Sequence, residues 1–195
     1  MIAIINYQAG NITSVANALN QLGIDYVITS DKNVIKQADK IIFPGQGRAG
    51  QAMNELKKAG LIDVIKNTSV PFLGICLGLQ ILATSSEEDN TKCLNIIPGT
   101  VIKFSEEVKT PQIGWNKVKL TKSSLLTQGI QNNSYFYFVH SYYFKAENKY
   151  VIGTTSYDIE YPTIINKNNF YATQFHPEKS GDVGLKLLNN FCKLC

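Results

Sequence analysis

The segment Gly74-Ile75-Cys76-Leu77-Gly78 has the composition of a sharp turn built around a nucleophile. An apolar run from Val70 to Ile75 precedes it and a helical pattern from Leu77 to Ala83 follows, so Cys76 falls at a strand-to-helix elbow, with sulfur in place of the usual hydroxyl oxygen. Glycines two residues to either side remove Cβ atoms that would collide across so tight a bend. A helix N-terminus at this point favours the thiolate, and such settings can bring a cysteine pKa from about 8.5 into the range of roughly 3.5–7.5. Taken without its context, the same segment is also compatible with a buried apolar cysteine in a glycine-rich packing turn.

A thiolate nucleophile needs a base, and the chain offers only His140 and His176. His176 lies in Thr173-Gln174-Phe175-His176-Pro177-Glu178-Lys179-Ser180, just after a strand-like run. Side chains two apart on an extended segment point to the same side, so Glu178 can reach the imidazole, fix its tautomer and stabilise the imidazolium. His140 sits in the aromatic run Tyr137-Phe138-Val139-His140-Ser141-Tyr142-Tyr143 with no acidic neighbour, and reads as a half-buried structural histidine on a strand. The remaining need is a cradle for an oxyanion. Pro44-Gly45-Gln46-Gly47 follows another strand-like run, at the sheet edge where an elbow after the next strand would open. Backbone N–H groups of Gly45, Gln46 and Gly47, with that of Leu77, could supply the donors, each worth typically about 2.7–4 kcal/mol in a transition state. On its own Pro-Gly-x-Gly is a turn; it gains meaning from the rest.

These residues must be held by a scaffold, and the first half of the chain supplies one. Short apolar runs alternate with helical patterns, the signature of βαβ units and a parallel sheet. Strands are expected at Ile2–Ile5, Tyr26–Thr29, Lys40–Phe43 and Val70–Ile75, and helices at Thr13–Leu22, Gln51–Leu56, Leu61–Lys66 and Leu77–Ala83. The second half turns strand-rich, with candidates at Val101–Phe104, Lys117–Leu120, Tyr135–Phe144, Tyr150–Ile152 and Phe170–Gln174, and a terminal helix carrying Leu185, Leu187, Leu188 and Phe191. The expected fold is α/β: a flavodoxin-like, mostly parallel central sheet flanked by helices, with antiparallel strands added in the second half. One domain over residues 1–195 accounts for the whole length, with no repeat or linker.

Composition narrows the function classes. The net charge of +4 is scattered, and isolated pairs such as Lys57-Lys58 do not make the basic stripe of a nucleic-acid site. No run approaches the roughly 18 apolar residues of a membrane span, and with Met1 leading straight into a strand-like run no signal peptide is expected. The four cysteines are therefore expected to be reduced, in the cytoplasm. Cys192-Lys193-Leu194-Cys195 has the spacing of half a metal or redox motif but lacks a second pair of ligands, so no metal is expected.

With Cys76, His176-Pro177-Glu178 and the Pro44-Gly45 loop all present in chain order, the sequence resembles the class I (triad) glutamine amidotransferases. Within them it is similar to the glutaminase subunits of imidazole glycerol phosphate synthase. That narrower likeness rests on Asn6-Tyr7 with Gly10-Asn11, on Gly74 through Gln80, on Gly114-Trp115-Asn116, on Tyr137 through Tyr142 and on Phe175 through Ser180. The resemblance implies Cys76 as nucleophile, His176 as general base and acid, Glu178 as its orienter, and Gln80 in the glutamine pocket, with no cofactor. It implies that Asn11, Trp115, Tyr137 and Lys179 lie toward a partner or the ammonia exit. The implied partner is a separate (β/α)₈ cyclase subunit, one to one, which uses the ammonia on a phosphoribosyl formimino carboxamide ribonucleotide in histidine biosynthesis. Two positions depart from the family pattern. Gln46 stands where a small hydrophobic residue is common, and Gln112 where many members carry His. A paralogous subunit feeding a sugar-modifying synthase of surface-glycan assembly, a silent partner-binding relative, and a cysteine hydrolase of another substrate remain as alternatives.

Overall fold

The computed structural model describes residues 1–7 and 12–195. In its first half, strands β1 (Ile2–Ile5), β2 (Tyr26–Thr29), β3 (Lys40–Phe43) and β4 (Phe72–Ile75) alternate with helices α1 (Ile12–Gln21), α2 (Lys32–Lys36), α3 (Ala49–Lys58), α4 (Ile62–Lys66) and α5 (Leu77–Gln80). The second half contributes β5 (Ser85–Ser86), β6 (Thr91–Lys92), β7 (Gly99–Lys103), β8 (Gln112–Leu120), β9 (Ser134–His140), β10 (Tyr142–Ala146), β11 (Val151–Ser156), β12 (Glu160–Lys167) and β13 (Phe170–Thr173), closed by helix α6 (Gly181–Leu194).

Among the described residues, nine strands form one sheet in the order β2-β1-β3-β4-β13-β12-β11-β8-β9. The pairings from β2 through β13 are parallel and those from β13 through β9 antiparallel, so the sheet is α/β on one side and a meander on the other. A second sheet, β10-β7-β5-β6, packs beside it. All four residues of β1 and of β4 are buried, as expected of strands covered on both faces. Alternation sends Ala3 and Ile5 into one apolar core with Phe43 and Leu77, and Ile2 and Ile4 into the opposite core with Val15, Leu19 and Phe175. Each fully buried Ile, Leu, Val or Phe side chain among them stabilises the fold by about 1.5–3 kcal/mol.

Two expectations need correction, and β12 and α2 were not foreseen. The run Tyr135–Phe144 is not one strand: it breaks at Ser141, and β9 and β10 join different sheets. Phe136, Phe138 and His140 are buried in alternation, then Tyr143 and Phe144 are buried in succession, so the phase slips at the break. Strand β12, with Pro162 inside it, and helix α2, capped by the Asp31 carboxylate accepting from the Asn33 N–H at 2.7 Å, carry no strong periodicity. The elbow helix is shorter than the pattern indicates, ending at Gln80 rather than Ala83.

Candidate active site

Strand β4 delivers Cys76 to the carboxyl edge of the sheet. The residue has φ 52° and ψ −100°, a conformation that costs a non-glycine residue about 1–3 kcal/mol and persists only where the surroundings enforce it. The enforcing contacts are local. The Cys76 N–H donates to the Thr173 carbonyl at 2.7 Å, which ties the elbow to β13. A Cβ on Gly74 would stand 2.4 Å from the Gly78 carbonyl oxygen, and one on Gly78 would stand 2.6 Å from that of Phe43. Both glycines are therefore required by close backbone approach. Because α5 is a single turn, its macrodipole is small, and the nearby N–H groups rather than a long helix supply the positive end.

His176 follows β13 and Phe175 and lies in the same neighbourhood. Its Nδ1 stands 2.7 Å from the Glu178 carboxylate Oε1, and the two side chains are only 1% and 2% exposed. Glu178 reaches the ring differently from the extended-segment geometry: Pro177–Lys179 forms a 3-10 turn that folds the carboxylate back onto the imidazole. With Nδ1–H committed to Glu178, Nε2 is the atom left to act. Among the described residues it has no hydrogen-bond partner. Burial disfavours the charged ring, but the adjacent Cys76 thiolate, with the Glu178 carboxylate, outweighs it and raises the His176 pKa to about 10. The structure thus brings Cys76, His176 and Glu178 together from two neighbouring parallel strands.

Cys76 lies at a cavity of about 280 Å³ that is also lined by Gly45, Gln46, Gly47, Leu77, Gln80 and His140. Of the residues expected to bind substrate or oxyanion, every one borders this space. Gly45 packs so tightly on the elbow that a Cβ would fall 1.7 Å from the Ile75 carbonyl oxygen and 2.5 Å from the Leu77 nitrogen. Gln80 donates through Nε2 to the Tyr142 carbonyl at 2.9 Å and to Gln174 Oε1 at 3.3 Å.

Three contributors escape sequence reasoning. Gln174 donates from Nε2 toward Cys76 Sγ at 3.5 Å, a link invisible until β13 is placed beside the elbow. Glu88 lines the cavity, and its carboxylate accepts from the Ala49 N–H at 2.7 Å; no motif marks it. Tyr7 places its hydroxyl against the carbonyls of Pro44 and Gln46. His140 is buried rather than half-buried, 6% exposed; Nδ1 contacts the Tyr142 carbonyl at 2.7 Å and Nε2 the Tyr161 hydroxyl at 3.1 Å. Burial, above all, pushes its pKa down to about 4, so the ring is neutral near pH 7.

Two of the residues expected to face a partner, Trp115 and Tyr137, lie on one face of β8 and β9. Trp115 is 56% exposed and meets Tyr137 edge to face, ring centroids 6.1 Å apart, with exposed Ile113 and Tyr135 on the same pair of strands. The Tyr137 carbonyl accepts from the His176 N–H at 2.9 Å, which fastens this surface to the base. Lys179 is half-buried on the adjoining turn, and Asn11 lies outside the described residues. Cys192 and Cys195 are free thiols at the end of the chain.

Comparison with known proteins agrees with this geometry. The model of the family "Glutamine amidotransferase class-I" matches residues 3–195. The chain is 50% identical to the imidazole glycerol phosphate synthase subunit HisH of Methanocaldococcus jannaschii, with all of both chains covered. It is 47% identical to the subunit HisH of Maridesulfovibrio salexigens, over 100% of this chain and 97% of that one. Among solved structures, PurLQS from Thermotoga maritima superposes with a TM-score of 0.76 at 17% identity, covering 97% of this chain and 96% of that one. A glutamine amidotransferase from Thermotoga maritima gives 0.67 at 16% identity, covering 97% and 81%; both support the fold alone. The chain belongs to the class I glutamine amidotransferases and, within them, to the family of imidazole glycerol phosphate synthase HisH subunits.

Proposed function

We propose that this glutaminase hydrolyses L-glutamine to glutamate and ammonia and passes the ammonia to a separate cyclase subunit for histidine biosynthesis. The observation that carries the reading is the buried His176–Glu178 pair at 2.7 Å with its free Nε2 beside Cys76. Cys76 Sγ attacks the side-chain amide carbon, and the developing oxyanion is met by the Leu77 N–H and the loop of Gly45, Gln46 and Gly47. His176 Nε2–H gives its proton to the amide nitrogen as the C–N bond breaks, releasing ammonia and leaving a γ-glutamyl thioester. Water then attacks the thioester, His176 taking its proton, and glutamate departs with Cys76 restored. Gln80 and Gln174 hold the pocket wall and the sulfur, and the Glu88 carboxylate offers a counter-charge to the α-ammonium of glutamine.

Free ammonia is mostly protonated and non-nucleophilic at neutral pH, so delivery must be direct, and Trp115, Tyr137 and Lys179 form the docking and exit surface. A one-to-one heterodimer in the cytoplasm fits this reading. Support comes from the full-length identity to HisH subunits and from the exposed aromatic face; among the described residues no helix is long and apolar enough to cross a membrane. Pull-down from native extract followed by glutaminase assay tests it. A copurifying cyclase and turnover far above that of the isolated chain are expected. A sugar-modifying synthase as partner would assign the ammonia elsewhere, and a complex in which Cys76 fails to react with a diazo-ketone glutamine analogue would refute hydrolysis.

A further inference from the structure

Tyr7 is 2% exposed beneath the Pro44–Gly47 loop, its ring stacked on Phe43 with centroids 4.5 Å apart and planes 17° apart. Its hydroxyl lies 3.1 Å from the Pro44 carbonyl oxygen and 2.9 Å from that of Gln46. A phenol has one proton, so it donates to one carbonyl at a time while keeping both within reach. A trans peptide is planar with its N–H opposed to its C=O. Carbonyls drawn toward Tyr7 therefore fix the Gly45 and Gly47 N–H vectors in the opposite sense, and hold the intervening Gly45–Gln46 peptide between two anchored planes. The loop has little of its own to choose a conformation with. Gly45 and Gly47 are permissive at φ and ψ, Gly47 adopts φ 125°, and the Gln46 side chain is exposed. Burial raises the phenol's pKa above its ordinary value, so the hydroxyl remains a donor at any pH at which the protein works.

We propose that Tyr7 is a positioning residue for amide hydrolysis: its hydroxyl, clamped on the carbonyls of Pro44 and Gln46, selects the loop conformation that presents N–H groups to the oxyanion. The proposal rests on the glutaminase reading above, and its test separates the two. Tyr7→Phe keeps the stack on Phe43 and removes only the hydroxyl. Two rates are measured on the wild-type chain and the variant in complex with the cyclase: turnover of L-glutamine, and alkylation of Cys76 by iodoacetamide. Attack on the amide builds an oxyanion; displacement at the sp³ carbon of iodoacetamide does not. The expected result is a kcat lower by about 10–100-fold, a part of what a whole oxyanion donor is worth, with KM and the alkylation rate unchanged. Equal kcat in both proteins overturns the proposal. So does a parallel fall of turnover and alkylation, which marks Tyr7 as a packing residue. A wild-type complex that alkylates but turns over no glutamine overturns the glutaminase reading itself, and the proposal with it.

Discussion

His140 makes this protein acid-sensitive in a window that can be calculated. The ring is packed among Phe104, Phe138 and Tyr161, with centroids 5.3, 5.8 and 5.6 Å away, and the charged groups facing it include His176. Its Nδ1–H donates to the Tyr142 carbonyl, which leaves neutral Nε2 as an acceptor 3.1 Å from the Tyr161 hydroxyl, whose single proton also has the Gln112 Oε1 in reach at 2.7 Å. Folding lowers its pKa from 6.5 to about 4, chiefly through burial. As pH falls through 6.5 the unfolded chain takes up a proton that the folded one refuses. Stability is therefore fully present above 6.5 and is lost as pH falls toward 4. Each pKa unit is worth about 1.4 kcal/mol, so the whole loss is about 3 kcal/mol, or roughly 6–12 °C in Tm for a domain of this size. His176 does not interfere: its pKa is raised to about 10, so its contribution is complete below 6.5 and disappears only as pH rises through about 10. Thermal melts at pH 7 and pH 4.5 would measure the effect, with His140→Gln as the comparison. The variant should be less stable at pH 7 but lose less between the two values. A wild-type melt that does not move over this window, or a variant with an undiminished pH slope, would refute the reasoning.

Gly45→Ala places a methyl 1.7 Å from the Ile75 carbonyl oxygen, so the loop must retreat from the Leu77 N–H; kcat for glutamine should fall about 10²–10³-fold, and because every atom the methyl meets is backbone the Tm should fall as well. Glu178→Gln removes the charge that orients and stabilises the imidazolium in the proposed mechanism, and kcat should fall about 10²–10⁴-fold. The His176 pKa should drop below about 10, readable in the pH dependence of Cys76 alkylation. Trp115→Ala truncates the most exposed aromatic of the proposed docking face and should weaken partner binding about 30-fold by calorimetry, leaving the Tm of the isolated chain unchanged.

The legible parts of this molecule were those whose determinants are adjacent in sequence. The β4 elbow needs Gly74 and Gly78 at fixed offsets from Cys76, and the His176–Glu178 contact spans two residues, so both stand out in a single pass. Buried parallel strands such as β1 and β3 are legible for the same reason, as continuous apolar runs bounded by turns. Glu88 and Gln174 were not, because their places on the cavity wall and against the sulfur come from sheet order, and single polar residues carry no periodicity. The Tyr7 hydroxyl was hidden likewise: it meets the Pro44–Gly47 loop through the β1–β3 pairing, 37 and 39 residues away. The β9–β10 break left a trace in the burial phase at Ser141, but the aromatic run around it, rich in strand-formers, masks the slip.

The hydrogen bond from the Cys76 N–H to the Thr173 carbonyl has a temporal meaning as well as a geometric one. The sulfur and the imidazole are separated by a hundred residues of chain, and closing a loop of that length costs about 4 kcal/mol of chain entropy, recovered only when β13 zips onto β4. A polypeptide still emerging from the ribosome, with its last strand unsynthesised, holds Cys76 without the imidazole proposed to serve it. Reactivity arrives late, together with the sheet that contains it.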